Sequence, residues 1–300
     1  MTASTSALSD RKAGNIVIHV IFILLSVAII APFLLIVSVS LTDEKALAQF
    51  GYTFIPSKFS LLAYDFVLQT PDVVLRAYSN TIFITASGTV LSLLLTSMVA
   101  YTISRRDYRW RVPLTVYIFF TMLFSGGLVP FYILMTQYLQ LKDTLWAIIL
   151  PGMLSPFYVL IMKGFMSKIP YELIESAKVD GASEWRIFFR MILPLSTPAL
   201  ATLGLFIAFN YWNEWFNAML FIDNDRWVPL QLLLVRIMNT LDFLRNNSQY
   251  IQSLGLDMSQ LPNESMRMAL VILVAGPMMF VFPFFQKYFV QGMTVGSLKG

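Results

Sequence analysis

Residues 77–104, AYSNTIFITASGTVLSLLLTSMVAYTIS, carry no charged side chain, and RRDYRWR follows at once over residues 105–111. A helix rises ~1.5 Å per residue and about 20 apolar residues cross ~30 Å of hydrocarbon, so this stretch is long enough to span a bilayer. The arginines behind it mark where the span ends. Outward in both directions, the windows 13–42, 112–141, 144–162, 191–213 and 268–286 are equally free of charge. Over all 300 residues 57% are hydrophobic and 13% charged, whereas soluble domains hold about 25% charged residues. The windows predict an all-α integral membrane protein, a single membrane domain over 1–300. Its six transmembrane helices are expected at about 15–40, 77–104, 112–137, 144–166, 191–220 and 267–288.

Loop charge sets the orientation. With the N-terminus inside, Arg11 and Lys12 precede the first span, and Arg105, Arg106, Arg109 and Arg111 crowd the turn after the second. Lys163, Lys168, Lys178, Arg186, Arg190, Lys287 and Lys299 fall on the same side. That side holds 13 of the 21 basic residues against six acids, a net +7, and the remainder of the chain nets −3. Basic residues close to span ends stay cytoplasmic, so both termini and the 167–190 loop are expected in the cytoplasm of a multi-pass plasma-membrane protein, with 289–300 as a cytoplasmic tail. Residues 16–37 look like a signal peptide, but its apolar core runs only about 7–15 residues, so this segment is read as a retained helix.

The inventory of reactive groups excludes most enzymes. The chain has no cysteine and one histidine, His19, which removes disulfides, thiolate catalysis and any multi-histidine metal site. It holds neither an H-E-x-x-H nor a G-x-S-x-G motif, and no G-x-x-x-x-G-K-[ST] phosphate loop. No cofactor, metal or nucleic acid is expected on this chain, lipid is its surrounding, and nucleotide-driven work would need a partner.

Residues 167–190 alternate apolar and charged positions at helical spacing. Leu173, Ile174 and Ala177, then Trp185, Ile187 and Phe188, can form the apolar faces of two short helices. Pro170 precedes the first, and Gly181 supplies a permissive backbone at the turn between them. An amphipathic hairpin on the headgroups and a partner-docking element both fit this pattern.

The letters of this loop carry a resemblance. Glu175-Ser176-Ala177, Gly181 and Met191-Ile192-Leu193-Pro194 resemble the E-A-A…G…I-x-L-P loop of importer permeases of the ATP-binding cassette (ABC) class, with Ser176 and Met191 as departures. Asp180-Gly181-Ala182 is similar to the D-G-A of the carbohydrate branch. Phe124 to Pro130, Trp212-Asn213-Glu214-Trp215 and the ending Gly292 to Gly300 resemble maltose-type sugar permeases. The Ser125 to Pro130 variant is similar to that of the subgroup handling uronate-containing or complex oligosaccharides, including alginate importers. The resemblance implies a type I ABC importer permease whose loop 167–190 is a coupling helix seated in an ATPase subunit. Glu175, Ser176, Ala177, Asp180, Gly181, Ala182, Leu193 and Pro194 would carry that coupling. Tail residues Thr294, Gly296, Ser297 and Lys299 would reach the ATPases. The implied partners are a second homologous permease, two ATPase subunits holding ATP and Mg, and an extracytoplasmic binding protein.

In the fifth span Glu214 stands beside Asn210, Asn213 and Asn217, which on a continuous helix share one face. Ionisable and amide side chains in a span face a bundle interior or a watery cavity, so this face is the candidate substrate path. Tyr211, Trp212 and Trp215 could stack on sugar rings or anchor the span at the interface. Gly126, Gly127 and Pro130 could bend the third span or simply pack, and Pro194 and Pro198 are expected to shape the start of the fifth. Carbohydrate import without an ATPase site of its own is the leading expectation. A permease for another polar solute and a non-transporting membrane scaffold or receptor are the alternatives.

Overall fold

The computed structural model describes residues 3–247 and 263–294, and of these the backbone alone for 3–14, 282 and 284–294. In chain order the helices are α1 (Ala3–Ser40), α2 (Glu44–Phe50), α3 (Leu62–Val67), α4 (Pro71–Ser104), α5 (Arg111–Leu123) and α6 (Leu128–Ile133). Then come α7 (Trp146–Gly152), α8 (Pro156–Met166), α9 (Glu172–Val179), α10 (Glu184–Ile187), α11 (Leu193–Leu195), α12 (Thr197–Trp212), α13 (Phe216–Phe221), α14 (Leu230–Asn246) and α15 (Asn263–Thr294). Single π turns extend α6 over Leu134–Tyr138 and join α10 to α11 over Phe188–Ile192. Among the described residues no strand is present beyond an isolated bridge between Thr42 and Phe59.

Among the described residues three helices are long and apolar enough to cross a membrane: Asn15–Ser40, Pro71–Ser104 and Asn263–Val281. Three bent pairs raise the number of spans to six: 111–123 with 128–138 at 108°, 146–152 with 156–166 at 47°, and 184–195 with 197–212 at 79°. Each bend has a chemical cause. At the first, Phe124 is extended and Gly127 sits at φ 87°, a conformation that glycine adopts without penalty. A Cβ on Gly126 would meet nothing within 4 Å, so this glycine pair serves the bend rather than packing. At the second, Ser155 is extended ahead of Pro156, and at the third Pro194 and Pro198 flank Ser196. Proline lacks the N–H of the helical ladder, and at the second bend it also pushes its predecessor Ser155 out of the helical region. The fifth span, expected to be continuous over 191–220, is therefore interrupted at Ser196 and again at 213–215, where α12 ends and α13 has not begun.

The chain divides into two compact units. The first comprises 1–71 and 238–274. Residues 15–30 of α1 are exposed on every side, as expected of a helix that is apolar all round. Elsewhere in this unit the Glu44 carboxylate accepts the backbone N–H groups of Glu264 and Ser265 at 3.0 and 3.1 Å and the Ser265 hydroxyl at 2.9 Å. A carboxylate thus meets the unsatisfied donors and positive end of α15. Arg267 pairs with Asp242, and Arg245 with Glu264 at 3.1 Å.

The second unit, 72–237 with 275–300, holds a core in which Ile84, Ile149, Met162, Ile187, Ile192 and Leu203 are almost fully enclosed. One face of α4 buries small or polar residues, including Asn80, Thr81, Ser92, Thr96 and Ser97. Such residues let membrane helices approach closely and bond across the gap. Asn80 donates to the carbonyls of Arg226 and Val228 at 2.9 and 3.1 Å, and the Leu230 N–H donates to the Thr81 hydroxyl at 2.8 Å. These bonds fix the segment between α13 and α14 against α4.

Candidate functional site

Two of the breaks line one cavity. The turn between α7 and α8 contributes Pro151, Gly152, Ser155, Phe157 and Tyr158, and the interruption after α12 contributes Asn210, Asn213, Glu214, Trp215, Phe216 and Asn217. The space holds about 620 Å³. The lining joins amide and hydroxyl groups to aromatic faces, and Glu214 is its one charged residue. The break between α5 and α6 adjoins it: Ser125 to Leu134 line a second cavity of about 590 Å³ that shares Phe216 with the first.

The stripe Asn210, Asn213, Glu214 and Asn217 does gather on this cavity, for a different reason from a common helix face. The helix stops at Trp212, and the coil at 213–215 swings Glu214 so that its carboxylate accepts the Asn217 N–H at 2.9 Å, satisfying a free donor in the first turn of α13. Asn210 donates to the Tyr158 hydroxyl at 2.8 Å. Asn213 donates to the Phe209 carbonyl and accepts from Gln231, both at 2.9 Å. Among the aromatics, Trp215 is 42% exposed and packs edge-on against Phe216, whereas Trp212 is 6% exposed and lies outside the cavity lining. Tyr211, 5% exposed, is built into the wall: its hydroxyl donates to the Ile149 carbonyl at 2.9 Å and lies 3.1 Å from that of Ser92.

The loop before α11 forms the helix, turn and helix that its spacing predicts. Gly181 stands at φ 75° with its N–H on the Lys178 carbonyl at 3.0 Å, and the Ala182 N–H reaches the Ala177 carbonyl at 2.9 Å. These are the two bonds of a Schellman cap. The Ser183 side chain then accepts the Arg186 N–H and starts α10. The apolar residues divide. Ile174, Ala177, Ile187 and Phe188 turn inward to the core, while Leu173, Val179 and Trp185 face out, Val179 at 87% exposure. Glu175, Ser176, Asp180 and Gly181 are on the outer surface, Ala182 is half-buried, and Leu193 and Pro194 lie at the bend before α12. Ala177, singled out on resemblance, is thus a packing residue with 7% of its surface exposed.

A charge ring missed by sequence reasoning joins this loop to the turn after α4. Arg105 pairs with Asp107 at 2.5 Å and with Glu184 at 2.6 Å; Lys178 closes the ring on Asp107 at 2.9 Å and Glu184 at 3.2 Å. The Arg105 side chain is only 7% exposed, and it also donates to the Tyr101 hydroxyl at 2.6 Å. Hydrogen bonds from Arg105 and then Lys178 hold the Asp107 carboxyl well below the usual carboxylate range. For Glu184 burial acts upward, but the bonds from Arg105 and Lys178 outweigh it and lower the carboxyl. In the sequence the arginine cluster carried only an orientation signal. Of the acids that meet it, Asp107 lies 2 positions away but Glu184 lies 79 away, and nothing local announces that second partner.

Of the tail residues, Thr294 ends α15 and Gly296, Ser297 and Lys299 lie outside the described residues. No group of three or more His, Asp or Glu side chains that could hold a metal occurs among the described residues.

Residues 88–295 match the family described as "Binding-protein-dependent transport system inner membrane component". Along the whole chain the protein is similar to "Protein LplC" of Bacillus subtilis (strain 168), 38% identical over 99% of this chain and 100% of the relative. It is 36% identical to the "Polygalacturonan/rhamnogalacturonan transport system permease protein YtcP" of the same organism, over 97% of this chain and 99% of that one. Among solved structures it is similar to a chain in a "bacterial ABC transporter involved in the import of the acidic polysaccharide alginate", with a TM-score of 0.80 and 31% identity over 94% of this chain and 98% of that chain.

Proposed function

The chain belongs to the family of binding-protein-dependent transport system inner membrane components, and on that premise we propose that it is the permease subunit of an ATP-driven importer of oligosaccharide. The observation that carries the cargo class is the 620 Å³ cavity, whose amides, hydroxyls and partly exposed Trp215 stand where two interrupted helices face each other. Sugars offer the matching chemistry, hydroxyls for the amides and apolar C–H faces for the indole. A backbone broken at membrane depth is tolerated where it lines a cavity or is buried in protein, which supports reading these breaks as part of a path.

A second permease completes the path from the other side, two ATPase subunits bind ATP and Mg and supply the work, and an extracytoplasmic protein delivers the sugar. This chain binds no cofactor and hydrolyses nothing. The outward residues Leu173, Val179 and Trp185, with Glu175 and Asp180 beside them, form the surface that seats in an ATPase subunit. Both termini are cytoplasmic, on the loop-charge argument.

Acidic oligosaccharide is a second reading, favoured by one detail. Glu214 would repel a uronate, yet its carboxylate is already occupied by the Asn217 N–H, which offsets part of its charge. The cavity lining contains no basic side chain, so carboxylates of such a cargo would be met by the second permease. Reconstitution with the ATPase and sugar-loaded binding protein in liposomes tests both readings. Uptake of an oligosaccharide with stimulated ATP hydrolysis is expected, and a neutral against a uronate-containing series separates them. Hydrolysis that ignores every sugar-loaded binding protein would overturn the assignment.

A further inference from the structure

The helix α4 and the segment from α10 to α12 are joined at two levels. At one, the ring of Arg105, Asp107, Lys178 and Glu184 links the turn after α4 to α9 and α10, with four pairs between 2.5 and 3.2 Å. Behind it Tyr101 of α4 receives an Arg105 N–H, donates to Glu184 at 3.2 Å and packs against Phe188 with ring centroids 5.5 Å apart. At the other level Ser92 of α4 meets the Tyr211 hydroxyl at 3.1 Å, and Leu93 would lie 3.1 Å from a Cβ on Gly204. The thirteen-position step from Ser92 to Arg105 sets the two levels about 20 Å apart along a helix. Two elements fixed to each other at both ends cannot pivot independently. Tyr211 lines the cavity, so the upper joint is also part of its wall.

The ring has the composition of a rigid brace. Its charges alternate and sum to zero, and Arg105, the one charged residue that is nearly enclosed, uses its planar fork on three partners. Exposed ion pairs are worth little, but removing one member of a buried pair leaves a charge without compensation. A guanidinium satisfied on several sides holds angle as well as distance, which an ammonium does not.

We propose that this ring, with Arg105 as its positioning residue, makes the 172–187 loop and helix α4 one lever, so that displacement of the loop moves the cavity wall at Tyr211. The proposal rests on the reading of that loop as the ATPase-seating surface, and adds that the stroke is delivered through α4 as well as along the chain into α12. None of Leu173, Val179 or Trp185 belongs to the ring, so seating and transmission are separable.

The test uses the full complex in liposomes with its ATPase and binding protein. Lys178→Ala combined with Glu184→Ala removes both bridges and leaves Arg105 paired to Asp107, so no charge is stranded. Expected are normal co-purification of the ATPase and retained hydrolysis, with sugar imported per ATP reduced. Site-to-site coupling usually corresponds to about 5- to 150-fold, and a loss of at least about fivefold is the result anticipated here. Lys178→Arg, which keeps both bridges, should restore the wild-type ratio, and Arg105→Lys should fall between. An unchanged ratio in the double variant would overturn the lever while leaving the seating surface intact. Loss of ATPase from the double variant would also overturn it, since the ring would then shape the seat instead of transmitting its motion. Failure of the wild-type chain to bring down the ATPase at all would count instead against the function proposed above.

Discussion

Gly88 of α4 lies directly beneath the ring of Tyr211: a Cβ at this position would come within 2.6 Å of two ring carbons. The ring has no room to retreat, because its hydroxyl is bonded to Ile149 and Ser92 and its edge faces Gly152.

Gly88→Ala should therefore destabilise the protein despite improving intrinsic helix propensity. A methyl forced into a filled site typically costs about 1–3 kcal/mol, against a gain of roughly 0.5–1 kcal/mol for replacing a helical glycine. Thermal unfolding in detergent should show a lowered midpoint. A raised midpoint would mean that Tyr211 is free to move.

Orientation can be read by labelling, since the chain has no cysteine to remove. Asp107→Cys should react with an impermeant thiol reagent only from the cytoplasmic face, and Asn247→Cys only from outside. The reverse pattern would overturn the assignment from loop charge.

Gly181→Pro should detach or uncouple the ATPase without blocking membrane insertion. Proline cannot adopt the 75° φ of this position and abolishes the N–H that bonds Lys178. Val179→Asp leaves the turn intact and places a charge on the most exposed apolar residue of the loop. Normal co-purification and transport in both variants would remove the loop from the seating surface.

Asn213→Ala, Asn217→Ala and Glu214→Gln should each reduce uptake partially in assembled complexes. One lost hydrogen bond is worth about 0.5–1.5 kcal/mol, or roughly two- to thirteenfold. Glu214→Gln should be the mildest, because an amide oxygen still accepts the Asn217 N–H. Unchanged uptake and sugar-stimulated ATPase in all three would move the path away from this cavity.

Asp107→Asn offers a pH test. The Asp107 carboxyl is depressed by Arg105 and then Lys178, so its contribution is fully present above the ordinary carboxylate range and is lost only as pH falls through the lowered value. The melting difference between wild type and Asp107→Asn should stay flat from pH 8 to about 5 and shrink only below the normal Asp range near 4. Shrinkage already between pH 7 and 5 would mean that the pairing is not formed.

The six membrane segments were legible because charge is excluded from hydrocarbon, and the loop turn because Gly181 and Ser183 are chemically specific for a helix end and a helix start. The bends were only half legible. Gly126, Gly127, Pro156 and Pro198 are all visible, but glycine and proline also serve close packing in membrane helices, and only backbone angles separate the uses. Asn210 to Asn217 were found as a polar cluster under the assumption of an unbroken helix, which their own break at 213–215 replaces. The Arg105 ring was illegible, because its meaning lies in Lys178 and Glu184 arriving from a distant loop.

The three bends also constrain biogenesis. A straight helix satisfies its own backbone as it enters the lipid, but the breaks at the extended Phe124, the extended Ser155 and the turn at Ser196 interrupt the helical ladder and release backbone polar groups, each costing several kcal/mol if left in hydrocarbon. Segments 111–138, 146–166 and 191–212 must therefore enter the bilayer closer to straight than they end. Bending belongs to the later stage in which neighbours supply partners, so insertion competence and the assembled shape are separate demands on the same residues.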